Sequence, residues 1–146
     1  MGLISDGTTI FDAGAMSLGG SMSFIKKLTA SSSGTLSFVD GSSSVILDST
    51  YKEYLFTFNN MHPQTDNALL TFQGSVDTGS SYGVNITSTV HYAYNNEGDS
   101  ATTLAYSGDD AHESTDFFKF VGGTGNGADE SSSGYLHLFN PSSTTF

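Results

Sequence analysis

The side chains that could do chemistry are few, and their spacing suits no familiar reaction. The imidazoles are His62, His91, His112 and His137. His112-Glu113 is followed by Ser-Thr-Asp, so the HExxH pattern that sets two ligands on one helix face is missing. His91 and His137 fall on different predicted strands and would meet only through sheet pairing. All four read as polar strand or turn positions. The acidic run Asp109, Asp110, Glu113 and Asp116 could gather oxygen ligands for a calcium ion, as could Asn126, Asp129 and Glu130. Neither group has the spaced D-x-D-x-D-G-x5-E loop, so solvated acidic loops are expected. Calcium is the one cofactor worth testing.

GGTGNG (122–127) has a phosphate-loop look, but the acidic, non-helical ADESSSG follows it and no lysine accompanies it. No serine sits in a G-x-S-x-G elbow. Paired carboxylates on separate strands leave no spacing signature, and nothing points to such a pair. No catalytic, cofactor-binding or metal-binding residue is therefore assigned, and a non-enzymatic protein is expected. Asn85-Ile86-Thr87 is a formal glycosylation sequon, without meaning in a bacterial or viral protein. The side chains best suited to a ligand are tyrosines. Tyr82, Tyr92, Tyr94 and Tyr106 offer flat apolar rings with hydroxyl rims, which suit a sugar ring. Tyrosine is also an ordinary strand residue.

Charge narrows the partners further. The net charge is −11; the cations are Lys26, Lys27, Lys52 and Lys119, with no arginine. Nucleic acid and anionic membranes are bound by neutralising phosphates with Lys and Arg, so neither is expected. Such a surface suits salty water, where like charges are screened. The chain has no cysteine, which removes disulfides, thiolate metal sites and a cysteine nucleophile. No stretch approaches the roughly 20 apolar residues of a membrane span. The start, MGLISDGTTIFDAG, has no basic region followed by an apolar run, so it does not read as a signal peptide. Asp6 stands where a myristoylation motif needs Ser or Thr.

The elements that must carry these residues are strands. The 146 residues fit one domain, and the 11 Phe and 7 Tyr among abundant Gly, Ser and Thr mark an all-β chain. Residues 1–20 read as an extended arm with one short strand at Thr8–Asp12, closed by Gly19-Gly20. Residues 21–146 read as the β-domain. Strands are predicted at 21–30, 35–39, 43–48, 51–60, 68–75, 84–94, 102–106, 116–121 and 134–140. Asp40-Gly41 marks a tight turn. In YKEYLFTFNN (51–60), Tyr54, Phe56 and Phe58 share the core face, and a turn is expected from Asn59 to Pro63. In 84–94, Ile86, Val90, Tyr92 and Tyr94 share one face, while Thr87, Thr89, His91 and Ala93 face solvent. NNEGDS (95–100), SGDDAHESTD (107–116) and 122–134 read as loops. About nine short antiparallel strands without a helix predict a β-sandwich, jelly-roll-like. SSTTF at the end reads as the opening of a further strand, so the sandwich is expected to be incomplete and the chain a fragment.

Two stretches carry a resemblance: GSMSFIKKLTASSSGTLSFVDGSSSVILDSTYKEYLFTFNNMHP (20–63) and SGYLHLFNPSSTTF (133–146). They resemble a group of marine bacteriophage proteins encoded among virion genes, with suspected capsid or tail-fibre roles. The likeness spans nearly the whole chain and is weakest over 64–132. The relatives continue past the equivalent of Phe146. The resemblance implies a virion structural protein, made in the host cytoplasm and released by lysis. A homo-oligomer with other virion proteins as partners is expected; the alternative, resting on the tyrosines, is a carbohydrate-binding module that contacts host surface glycans. The group has no established catalytic residues to carry over.

Overall fold

The computed structural model describes residues 22–108 and 110–145, together with the backbone of three short strands before them. Those three are β1 (Leu3–Ser5), β2 (Thr8–Asp12) and β3 (Ala15–Met16), a small antiparallel meander. The strand predicted at Thr8–Asp12 is therefore β2, but the arm is not simply extended: β1 and β3 pair on either side of it. Gly19 and Gly20 lie outside the described residues.

The remaining strands are β4 (Glu53–Met61), β5 (Ala68–Phe72), β6 (His91–Asn95), β7 (Thr102–Tyr106), β8 (Phe118–Thr124) and β9 (Ser132–Phe139). Their pairing is nested: β4 with β9, β5 with β8, β6 with β7, all antiparallel. Between β5 and β6 the pairing continues outside named strands. Ile86 and Ser114 exchange both backbone bonds, Ser88 N–H donates to Ala111 O, and Ser107 N–H donates to Val90 O. The chain from 52 to 140 is thus one two-stranded ribbon. Asn140 N–H donating to Lys52 O at 2.8 Å closes one end. The other end turns at Asn96, whose N–H donates to Ala101 O at 3.0 Å and whose Oδ1 accepts from the Ser100 and Ala101 amides.

Alternation decides which face of the β4/β9 ribbon is covered. Tyr54, Phe56 and Phe58 lie opposite Leu138, Leu136 and Gly134. Tyr54 is buried and both phenylalanines are half-buried, as their parity predicts. The segment 38–52 lies against this face. Phe38 meets Phe56 edge to face at 5.2 Å, Tyr51 meets Tyr54 likewise at 5.9 Å, and Val45 is buried. The Tyr54 hydroxyl donates to Asp48 O at 2.7 Å, and burial pushes its pKa up.

Several expectations are corrected. The strands predicted at 21–30, 35–39 and 43–48 do not form within 22–52. Their backbone is held instead by polar side chains, which compete with ladder pairing. Asp40 Oδ1 accepts from Leu47 N–H at 2.8 Å, and Lys26 Nζ donates to Ser43 O at 3.0 Å. The Asp40-Gly41 turn does form: Ser42 N–H donates to Val39 O, with Gly41 at φ 74, which only glycine takes without strain. The strand predicted at 84–94 shortens to β6, because below His91 side chains replace part of its backbone pairing. Val90 N–H donates to Asp110 Oδ1 and Ala111 N–H to Ser88 Oγ. The loop predicted at 107–116 does carry no strand among its described residues, yet it returns beside the outgoing arm through backbone bonds at Ser107, Ala111 and Ser114, and Ala111 is buried. The turn expected from Asn59 is a bulge, with Asn60 at φ 52, and the strand runs on to Met61. Gly122, Gly123 and Thr124 belong to β8 rather than to a loop. Residues 141–145 carry no strand.

The inner face yields a stability prediction. Phe56→Ala removes a half-buried ring and its edge contact, and is expected to cost ~2 kcal/mol, below the full burial value. Tyr54→Phe removes one hydrogen bond and is expected to cost about 1 kcal/mol. Urea denaturation followed by tyrosine fluorescence measures both. A midpoint unchanged in Phe56→Ala would remove this face from the core.

Candidate functional site

The four tyrosines singled out in the sequence do not form one platform. Tyr92 and Tyr94 lie on one face of β6, opposite Ala105 and Thr103, with parallel rings 6.2 Å apart at 11°. They are 44% and 50% exposed, so the expected core face of 84–94 is only half covered below them, at Ile86 and Val90. Tyr106 pairs with His91, which puts it on the opposite face with Ala93 and Leu104. Tyr106 and Leu104 are 77% and 79% exposed. Tyr82 belongs to neither face; it ends the loop 75–82 that leaves the ribbon where Gly83 N–H donates to Gly74 O.

That loop is built around Asp77. Its carboxylate accepts from Ser75 Oγ, from Ser81 Oγ and from the Ser81 amide. These bonds, the one from Ser75 first, hold its pKa down to about 2. Ser75 Oγ in turn accepts from Gly79 N–H at 2.9 Å. Gly79 has φ 80, and a Cβ there would press on the Val39 side chain and the Tyr82 hydroxyl. The loop therefore needs glycine at this point to dock on the 22–52 segment. Beside it, Val76, Ser81, Tyr82, Gly83 and Val84 line a small recess of about 110 Å³.

A third aromatic group was not singled out in the sequence. On the outward face of β9, Tyr135, His137 and Phe139 stand in a row, paired with Thr57, Leu55 and Glu53. Successive rings meet edge-on, at 5.9 Å and 5.5 Å. Tyr135 is 75% and Phe139 63% exposed. The signal was present as the alternation Y-L-H-L-F. It looks like a strand with one covered face until the structure shows that both faces are apolar.

The histidines stay apart. His91 pairs with Tyr106, and His137 with Leu55. His62 Nε2 donates to Gly127 O at 2.8 Å, tying together the two arms where the ribbon bends; Asn126 Nδ2 donates to Gln64 O beside it. Glu130 Oε2 accepts from Gly127 N–H at 2.6 Å, and Asp110 from Val90 N–H. Those carboxylates of the two suggested calcium groups shape the backbone; Asp109 lies outside the described residues. Among the described residues no three His, Asp or Glu side chains gather as a metal site. No described helix is long and apolar enough to cross a membrane.

Comparison with protein families, with characterised proteins and with solved structures finds no match to this chain.

The Asp77 loop carries a pH prediction. A carboxylate whose folded pKa is depressed stabilises above its unfolded value and loses that contribution as pH falls through the folded one. The Gly79 and Ser81 amides should remain protected from exchange at pH 4 and lose protection as pH approaches about 2. In Asp77→Ala they should be unprotected at neutral pH. Hydrogen exchange read by NMR decides it; equal protection in that variant would remove Asp77 from its anchoring role.

Proposed function

We propose that the chain is a non-enzymatic structural subunit of a phage particle, of the tail-fibre or capsid-surface kind. The carrying observation is the imbalance between core and surface. Among the described residues the buried hydrophobics are Val45, Tyr54 and Ala111, while Phe24, Leu104, Tyr106, Tyr135 and Phe139 stand more than half exposed. Apolar surface left in water on this scale marks contact with other chains. The nested ribbon supports a finer reading. A two-stranded ribbon that folds over on itself is how a jelly roll is wound, and we take the chain to be a jelly-roll-like sandwich whose faces close on assembly. The resemblance of 20–63 and 133–146 to marine phage proteins points the same way, to a virion location and a homo-oligomer.

Mass spectrometry of purified particles should detect the chain at structural copy number; its absence from them would end this reading. In solution, sedimentation should show an oligomer that Tyr135→Ser with Phe139→Ser shifts towards smaller species.

One observation favours a second reading, a module that contacts host surface glycans. The rings of Tyr92 and Tyr94 are parallel, adjacent and half exposed, an arrangement on which a pyranose face can stack. Calorimetric titration with host-envelope polysaccharide should show binding that Tyr92→Ala with Tyr94→Ala abolishes. Binding unchanged in that variant would reject this platform.

A further inference from the structure

The β6/β7 hairpin is an incomplete sheet. Each strand has five residues, and among the described residues no third strand pairs with either. Every residue of β6 is exposed, and Leu104 and Tyr106 leave an apolar face in water. A lone two-stranded hairpin is marginal in water, whereas a third strand with apolar cover makes it stable. Its surroundings have one sign of charge. From 53 to 118 the chain carries nine of its 15 carboxylates and none of its four lysines. Glu97 and Asp99 are exposed at the hairpin tip, and Asp110 stands at its base, where it accepts from Val90 N–H. What completes this sheet should be an extended segment, apolar and cationic.

The chain contains one such segment, and its own fold leaves it unpaired. SMSFIKKLTA (21–30) has a strand pattern, yet residues 22–30 form no strand. Met22 and Phe24 are 71% and 82% exposed. Lys26-Lys27 is the sequence's only adjacent pair of cations. Lys27 is exposed, and Lys26 rests on a neutral acceptor, Ser43 O, so its charge is uncompensated there.

We propose that residues 22–30 of one copy add as a third strand to the β6/β7 hairpin of another, antiparallel to β7, with Met22 and Phe24 covering Leu104 and Tyr106 and the two lysines facing Glu97 and Asp99 at the tip. Such β-addition draws affinity from backbone bonds and specificity from alternate side chains. Donor and acceptor are different surfaces of the same chain, so the contact is head-to-tail and builds a ring or a filament. The inference rests on the chain being an assembly subunit, and names the contact.

The test uses the full chain and a synthetic peptide of residues 21–31. In titration the peptide should shift the amides of 91–95 and 102–106 and protect them from exchange. Lys26→Glu with Lys27→Glu in the peptide should weaken binding about tenfold or more, since two attractive charges become repulsive. Two full-length variants complete the test: a donor variant, Lys26→Glu with Lys27→Glu, and an acceptor variant, Leu104→Glu. Each alone should sediment as smaller species with an unchanged circular dichroism spectrum. Mixed, they should form a one-to-one complex through the one intact donor and the one intact acceptor. Three outcomes would overturn the proposal: peptide shifts located elsewhere, affinity indifferent to the charge reversal, or variants that assemble like the parent. The peptide result also stands alone if a variant fails to fold. Detection in particles without peptide binding would sink this contact and leave the virion reading intact.

Discussion

Antiparallel backbone pairing between the two arms of a single ribbon is the constraint on which this protein rests. Phe58 faces Gly134 and Ala68 faces Thr124, so both arms cross the first bend in equal numbers of residues. His62 and Asn126 then bond across that bend to Gly127 and Gln64. At the second bend the arms are unequal. The outgoing arm needs the 75–82 loop to absorb the difference, and Asp77 holds that loop closed. Register is therefore transmitted from the Lys52–Asn140 closure to the Asn96 turn without a sheet wider than two strands.

A ribbon so narrow has consequences for energetics. Each strand has two faces, and the inner face of β4/β9 has a cover, supplied by Phe38, Val45 and their neighbours. Burying a large apolar side chain contributes about 1.5–3 kcal/mol. The outer rows Tyr135–His137–Phe139 and Leu104–Tyr106 therefore represent stabilisation the isolated chain does not realise. In the proposed assembly the same rows would supply the driving force, and the uneven distribution of charge its direction.

Much of this was legible in the sequence. Tyr54, Phe56 and Phe58 alternate against Glu53, Leu55 and Thr57, and period-two alternation is enough to name both the strand and its inner face. The 102–106 strand and its tip turn were equally plain. What misled was polar side chains replacing backbone partners. SSVILD looks like a strand, but Asp40 captures the Leu47 amide. VNITSTV looks like a strand, but Ser88 and Asp110 take part of its pairing. These competitors lie up to 23 residues away, beyond the reach of local pattern. Among the candidate ligand residues, all four tyrosines are surface residues. Their division between two faces and a loop followed from register.

By itself, the sequence determined an all-β chain with antiparallel strands and no helix among the described residues, an acidic surface, no thiol chemistry and an aromatic inner face. Composition and alternation are local properties, and they decide those things locally. Only the tertiary structure decided that the strands nest as one ribbon, that Tyr92 and Tyr94 stand apart from Tyr106, and that Tyr135, His137 and Phe139 form an outward row. Pairing register depends on which distant residues meet, and a shift of one residue would turn every side chain to the opposite face.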